Sequence, residues 1–191
     1  MSLDLPGFAD PVADAQSAFR ALLDAMSRPG TIRAAGTALM PPAPLDAATA
    51  AVLLTLVDGD AKLHIGPDCA AARDWLVFHC GTDPCADPAA ADFVVSTTLP
   101  DFATLSSGSD EAPESSATLV LQVEALGRGT AWRLAGPGLA APATLAVTGL
   151  PADFAARWAA NHALFPRGVD LVLCSGSQLA AIPRTATVTE V

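Results

Sequence analysis

The apolar positions of this chain fall first into a helical rhythm. Val12, Ala15, Phe19, Leu22, Leu23 and Met26 recur at the steps that line one face of a helix. Asp10 stands where an N-cap would, and Pro11 suits the first helical position. Arg28-Pro29-Gly30 stops the pattern, because proline disfavours helical geometry at the residue before it and glycine lets the chain turn. A stiff Met-Pro-Pro-Ala-Pro connector over 40–44 leads to a second helix, from Asp46 to about Val57, with Leu53, Leu54 and Val57 as its apolar stripe. Asp58-Gly59-Asp60 is a turn, and Ala61 to Ile65 reads as a strand. Asp68 then reads as the cap of a third helix through Trp75, Leu76 and Phe78, ended by Gly81.

Beyond this point the pattern shortens towards strands. Asp92 to Ser96 is a short buried strand, and residues 106–116 are polar without a core face, an exposed loop. Thr118 to Glu124 and Thr130 to Leu134 read as a hairpin across Leu126-Gly127-Arg128-Gly129. Gly136-Pro137-Gly138 is another turn, and Thr144 to Val147 another strand. Pro151 opens a fourth helix carrying Phe154, Trp158 and Ala159, which ends near Asn161 or His162. Val169 to Cys174 and Gln178 to Ile182 pair over Ser175-Gly176-Ser177. Helices and strands alternate early and hairpins dominate late, so the expected fold is α/β, a mixed sheet with helices packed on it.

The chain's 191 residues suit a single domain, 1–191. Its 51% apolar content is rich in alanine and contains no run long enough for a membrane span. The start lacks a basic region followed by an apolar one, so no export signal is expected, and the cytoplasm is. The four cysteines are then expected as free thiols. The net charge of -10 is uneven: residues 1–57 carry -2, residues 58–114 carry -9 and residues 115–191 carry +1. An acidic middle argues against nucleic acid as a ligand. It leaves room for one small phosphate held by arginines at either end of the chain.

Candidate chemistry is sparse. His64, Cys69, His79, Cys80 and Cys85 are too loosely spaced for a structural zinc site. Ser175-Gly176-Ser177 is not a nucleophile elbow, and no phosphate-binding glycine loop occurs. Lys62, the one lysine, opens a strand after an acidic turn, a poor place for a Schiff base with pyridoxal phosphate. No cofactor and no metal are expected. His162 is the best placed histidine for contact with a ligand, and it also reads as a helix C-cap. Nine arginines remain. Arg28 and Arg167 each touch a proline-glycine kink, and Arg184 follows Pro183, so stiff backbone fixes their guanidinium groups. Two uses compete: binding a small-molecule phosphate, or pairing internally with Asp24, Asp153 or Asp170 or packing against a partner.

These residues also carry a resemblance. Gly7-Phe8-Ala9-Asp10-Pro11-Val12, Ala15 to Arg20 and Ala25 to Gly30 resemble the N-terminal signature of the PhnH family. Phe78-His79-Cys80-Gly81, Gly136-Pro137-Gly138, Trp158 to Asn161, Leu164 to Asp170 and Pro183-Arg184-Thr185 resemble its later motifs, in order. The resemblance implies a subunit of the bacterial carbon–phosphorus lyase complex, working with its G, I and J subunits and most directly with I. It implies support for joining a phosphonate to the ribose of a nucleoside triphosphate, as a homodimer and docking subunit with no catalytic residue of its own. It also implies a three-layer αβα fold similar to the large domain of pyridoxal-phosphate-dependent transferases, without the cofactor. Phe19, Arg20, Trp158 and Phe165 are the expected interface residues, since aromatic and arginine side chains dominate interfaces. Arg28, His162, Arg167 and Arg184 are the expected ligand-binding residues if the subunit grips substrate directly.

Overall fold

The computed structural model describes residues 5–191. Helix α1 spans Pro11–Ser27, and Asp10 caps it by accepting from the amides of Val12 and Ala13. The two-residue strand β1, Arg33–Ala34, follows. Helix α2 is Ala47–Leu56, β2 is Leu63–Ile65 and α3 is Arg73–Cys80, preceded by a 3-10 turn over Pro67–Ala72. Next come β3 (Phe93–Ser96), β4 (Thr118–Gln122), β5 (Ala125–Ala135) and β6 (Ala143–Thr148). Helix α4 is Phe154–His162, and β7 (Asp170–Ser175), β8 (Gln178–Ile182) and β9 (Thr187–Glu190) complete the order.

Six strands form a mixed sheet in the order β1-β8-β7-β4-β3-β2. β2, β3, β4 and β7 run parallel, and β8 is antiparallel to both β7 and β1. The α/β mixed sheet expected from the sequence is thus present. Its central strands are apolar on both faces, as burial from two sides requires. Val95, Val120, Val172, Leu179 and Ala181 face a core shared with α1, α2 and α3. Val94, Leu119, Leu121, Leu171, Leu173, Ala180 and Ile182 face the other way. α2 is buried on nearly every side, which explains its run of alanine, valine and leucine.

The second face corrects the hairpin reading. β5 does not pair with β4. It is the centre of a separate antiparallel sheet, β6-β5-β9. Trp132 and Leu134 of β5, with Leu145 and Val147 of β6, turn that sheet's apolar side onto the main one. Phe154 and Trp158 of α4 fill the same core. One layer is therefore helical, while the other combines a small sheet with α4. The physical reason lies at Val123 and Glu124. The Val123 amide still donates to Cys174 O beside β7 (2.8 Å), and the next amide, of Glu124, donates to Thr148 O beside β6 (3.1 Å). The chain changes sheets at this point instead of folding back. Among the described residues no helix is long and apolar enough to cross a membrane.

Asp68 is a second correction. It lies inside the 3-10 turn, one turn ahead of α3, and does not cap that helix. Its carboxylate accepts from the Ser96 hydroxyl (2.9 Å), the Thr97 amide and hydroxyl (both 2.8 Å) and the Thr98 amide (2.9 Å). Burial pushes this carboxyl's pKa up, but the hydrogen bonds from Thr97, Ser96 and Thr98 outweigh it and hold the group below its usual 3.8. Asp68 thereby ties the end of β2 to the end of β3.

Candidate functional site

β4 and β7 both begin, and β8 ends, at the amino edge of the parallel strands. The sequence motifs around Arg167 and Arg184 meet there. Arg184 is largely enclosed, its side chain 17% exposed. Its Nη1 donates to Gly168 O (3.0 Å) and to the Ser116 hydroxyl, and lies 3.6 Å from the Asp170 carboxylate. Its backbone amide donates to the same carboxylate at 2.8 Å. This arginine is a staple between the exit of β8, the entry to β7 and the end of the 106–116 loop.

His162 closes α4, and its Nδ1 lies 2.8 Å from Arg184 O, so that nitrogen carries the proton and donates. The imidazole joins the helix end to the β8 exit. It lies in the last turn of α4, as the capping reading expected, without bonding a helical carbonyl, and among the described residues no acid or hydroxyl is bonded to it. Asn161 beside it is buried and makes two bonds to the Val169 backbone. Its place was legible as an amide at a core position, since Phe154, Trp158 and Asn161 share one helical face. Gly168 has φ 119°, and a Cβ there would sit 3.0 Å from Asn161 O.

Arg167 differs from Arg184. Its Nε lies 3.1 Å from an Asp110 carboxylate oxygen, within ion-pair reach. The alignment makes no hydrogen bond, and this buried Nε has no acceptor among the described residues. Asp110 is 79% exposed. Five of the eleven residues of the 106–116 loop are exposed and five half-buried, and the loop is tied to this site at Ser107, Asp110 and the buried Ser116.

Arg28 is distant from this arrangement in role. It caps the C-terminus of α1 and pairs with Asp24, which also binds Arg33. Arg157 pairs with Asp153 at 2.9 Å. Internal pairing with Asp24, Asp153 and Asp170, one of the two uses weighed from the sequence, therefore occurs at all three acids. The structure does not gather Arg28, Arg167 and Arg184 onto one ligand-sized centre, because each is bonded to different protein groups.

The interface residues divide. Phe19 and Arg20 are exposed on α1, where Val12 and Leu23 extend an outward apolar strip. Phe165 is 60% exposed after α4, beside half-exposed Leu164. Trp158 corrects the expectation: it is fully buried against Phe102 and Phe154, and its Nε1 donates to Ala186 O at 2.7 Å. Its apolar ring has a core to fill, and its one donor has a partner inside it. It anchors the fold and meets no partner chain.

Three cysteines are buried and unreactive in character. Burial pushes the thiols of Cys69, Cys80 and Cys174 up to about 12, and Cys85 is half-buried. All four are free. Lys62 is exposed, with its backbone amide bonded to Asp92.

The family model described as bacterial phosphonate metabolism protein (PhnH) matches residues 6–189. The chain belongs to the PhnH family. A PhnH relative from Rhizobium meliloti (strain 1021), the alpha-D-ribose 1-methylphosphonate 5-triphosphate synthase subunit PhnH, is 44% identical over 183 residues, covering 93% of this chain and 92% of the relative. HtxG of Stutzerimonas stutzeri, by its description a candidate C-P lyase subunit protein, is 38% identical over 176 residues, covering 89% and 83%. The PhnH match includes both the α1 strip and the Arg167–Arg184 region, so neither is an appendage to the family's fold.

Proposed function

We propose that this chain is the PhnH-type subunit of a carbon–phosphorus lyase assembly in the cytoplasm. It supports formation of a ribose 1-alkylphosphonate 5-triphosphate from a nucleoside triphosphate and an alkylphosphonate. Its part is structural: it dimerises and docks the companion G, I and J subunits, I most directly. The naming of the Rhizobium relative as a synthase subunit supports this. The observation that carries the docking role is the contrast between satisfied arginines and an unsatisfied apolar strip. Arg28 and Arg184 are engaged within the protein, while Val12, Phe19 and Leu23 stay exposed along α1. Exposed apolar side chains aligned on one helix are a common mark of association. The mixed sheet is compatible with descent from the large domain of pyridoxal-phosphate-dependent transferases, and exposed Lys62 offers no site for that cofactor.

The test is co-purification. A tagged chain co-expressed with the G, I and J subunits retains the I subunit, and Phe19→Glu with Leu23→Glu loses either the dimer or the I subunit while keeping its melting temperature. Retention of every contact by that variant removes α1 from the interface. Failure of the unaltered chain to bind any companion removes the docking role.

A second reading is favoured by one observation, the buried Nε of Arg167 without an acceptor. In that reading a phosphate- or phosphonate-bearing ligand contacts this subunit.

A further inference from the structure

Loop 106–116 is fastened to the rest of the protein near its ends and bonded mainly to itself between them. Ser107 O accepts from Gly168 N at 2.9 Å, and the Ser116 hydroxyl accepts from Arg184. Between these points the bonds are internal: Ser109 N donates to Ala112 O (3.3 Å), and Ala112 N donates to the Ser109 hydroxyl (3.0 Å). Gly108, with φ 74°, holds the left-handed bend at which the free stretch begins. The loop carries Asp110, Glu111 and Glu114 and no basic residue. Asp110 on Arg167 is its one ion pair with the body of the protein among the described residues.

We infer that Arg167 is a binding site for an organic phosphonate or phosphate ester, and that loop 106–116 is a strap whose Asp110 carboxylate occupies the site until such an anion displaces it. Four features carry this. First, the guanidinium is placed in advance: Pro166 and Gly168 flank it, and the Arg167 amide donates to Leu164 O at 3.0 Å. Second, its buried Nε makes no aligned hydrogen bond among the described residues, the Asp110 oxygen at 3.1 Å being within ion-pair reach only, and a tetrahedral oxyanion supplies an aligned, charge-assisted bond. Third, Asp110 is mostly in water, so an exposed ion pair with little net strength is all that must be given up. Fourth, a groove of about 360 Å³ opens between α4, Leu164 and the 3-10 turn Phe102–Thr104, and Leu164, which lines it, accepts the Arg167 backbone amide. Phe102, Ala160 and Leu164 give it apolar walls, and Arg157 and Asp101 also line it. An anion bearing a carbon substituent uses both the guanidinium and these walls. A bare anion uses only the first.

The inference rests on the second reading above and is separable from the docking role, since companion binding can persist with no anion bound. It is tested on the full chain at constant ionic strength, by calorimetric titration with n-propylphosphonate and with inorganic phosphate. Hydrogen exchange of the 109–112 amides is followed alongside. The expected results are saturable binding, tighter for propylphosphonate than for phosphate, and faster exchange at 109–112 as the site fills. Asp110→Asn tightens binding about two- to fivefold, the strength of an exposed ion pair. Arg167→Gln weakens it about ten- to a hundredfold, the strength of a charge-assisted hydrogen bond. Absence of saturable binding overturns the inference, and so does Arg167→Gln binding like the unaltered chain. Unchanged affinity in Asp110→Asn, or strap exchange that ignores the anion, overturns the strap. Equal affinity for phosphate and propylphosphonate overturns the choice of an organic anion.

Discussion

Asn161 and Val169 pair like neighbours in a sheet. The Asn161 Nδ2 donates to Val169 O at 2.9 Å, and its Oδ1 accepts from Val169 N at 2.8 Å. A side-chain amide thus satisfies both backbone groups of the residue that leads into β7. It closes residues 162–168 into a compact loop and sets Arg167 at the loop's far end. This buried pair is why Asn161 belongs at a helix position that otherwise calls for an apolar side chain.

Asn161→Ala therefore leaves two buried backbone groups without partners. The expected loss is about 2–4 kcal/mol of unfolding free energy, since each orphaned group costs roughly 1–3 kcal/mol. Urea denaturation measures it. A loss below about 0.5 kcal/mol shows that water replaces the amide without penalty.

The arginines are predicted to separate by burial. Arg184→Met removes an enclosed donor from Gly168, Ser116 and Asp170, and leaves the Asp170 carboxylate without its cation. It is expected to cost about 2–4 kcal/mol. Arg28→Ala, on a side chain 61% exposed, is expected to cost less than about 1 kcal/mol. Thermal melts of the two variants check the order. Equal effects contradict the assignment of Arg184 as the staple.

Asp68 gives the fold a pH signature. Its native pKa is depressed, so its contribution to stability is fully present above the ordinary value of 3.8 and is lost as pH falls through the lowered native value. Asp68→Asn is expected to be less stable than the unaltered chain at pH 7, with the gap narrowing below pH 3.8. Denaturant midpoints at both pH values decide the matter. A gap that widens in acid reverses the sign and refutes the role given to Thr97, Ser96 and Thr98.

The thiols should react unequally. Cys69, Cys80 and Cys174 are buried with their thiols pushed up to about 12, whereas Cys85 is half-buried. A thiol reagent at neutral pH is expected to label Cys85 alone in the native protein and all four cysteines in denaturant. Rapid native labelling at Cys174 contradicts the packing of β7.

Much of this architecture was legible because local signals agreed with the tertiary outcome. α1 announces itself through Asp10, Pro11 and the helical spacing of Val12, Ala15, Phe19, Leu22, Leu23 and Met26, although the face it buries runs through Ala18, Leu22 and Ala25 and leaves Val12, Phe19 and Leu23 exposed; the β7–β8 hairpin announces itself through its two apolar runs and the intervening glycine. β4 and β5 misled because two extended segments around glycines look locally like a hairpin. What separates them is long-range. Gln122 spends its side chain on α2, its Oε1 accepting from Asp46 N and the Thr49 hydroxyl and its Nε2 donating to Pro44 O. β1, with two residues, and β9, with only Val188 buried, are too short to leave a pattern. At the site, the arginines were visible as residue types at stiff positions. Of their partners, Asp24, Asp153 and Asp170 were visible as nearby acids, while Ser116, Asp110 and Gly168 were not, because they reach Arg184 and Arg167 only through the fold. Trp158 was misjudged for the same reason: an aromatic residue on a helix serves a core or an interface equally well until its neighbours are known.

The central claim is that this chain contributes surfaces and has no reaction centre of its own. The most direct measurement is release of base from a nucleoside triphosphate in the presence of an alkylphosphonate, by the purified chain, by the G, I and J subunits, and by all four together. The account predicts no release by the chain alone and release by the full set that falls sharply when the chain is left out. Turnover by the chain alone, or a full rate from the companions without it, would contradict the account.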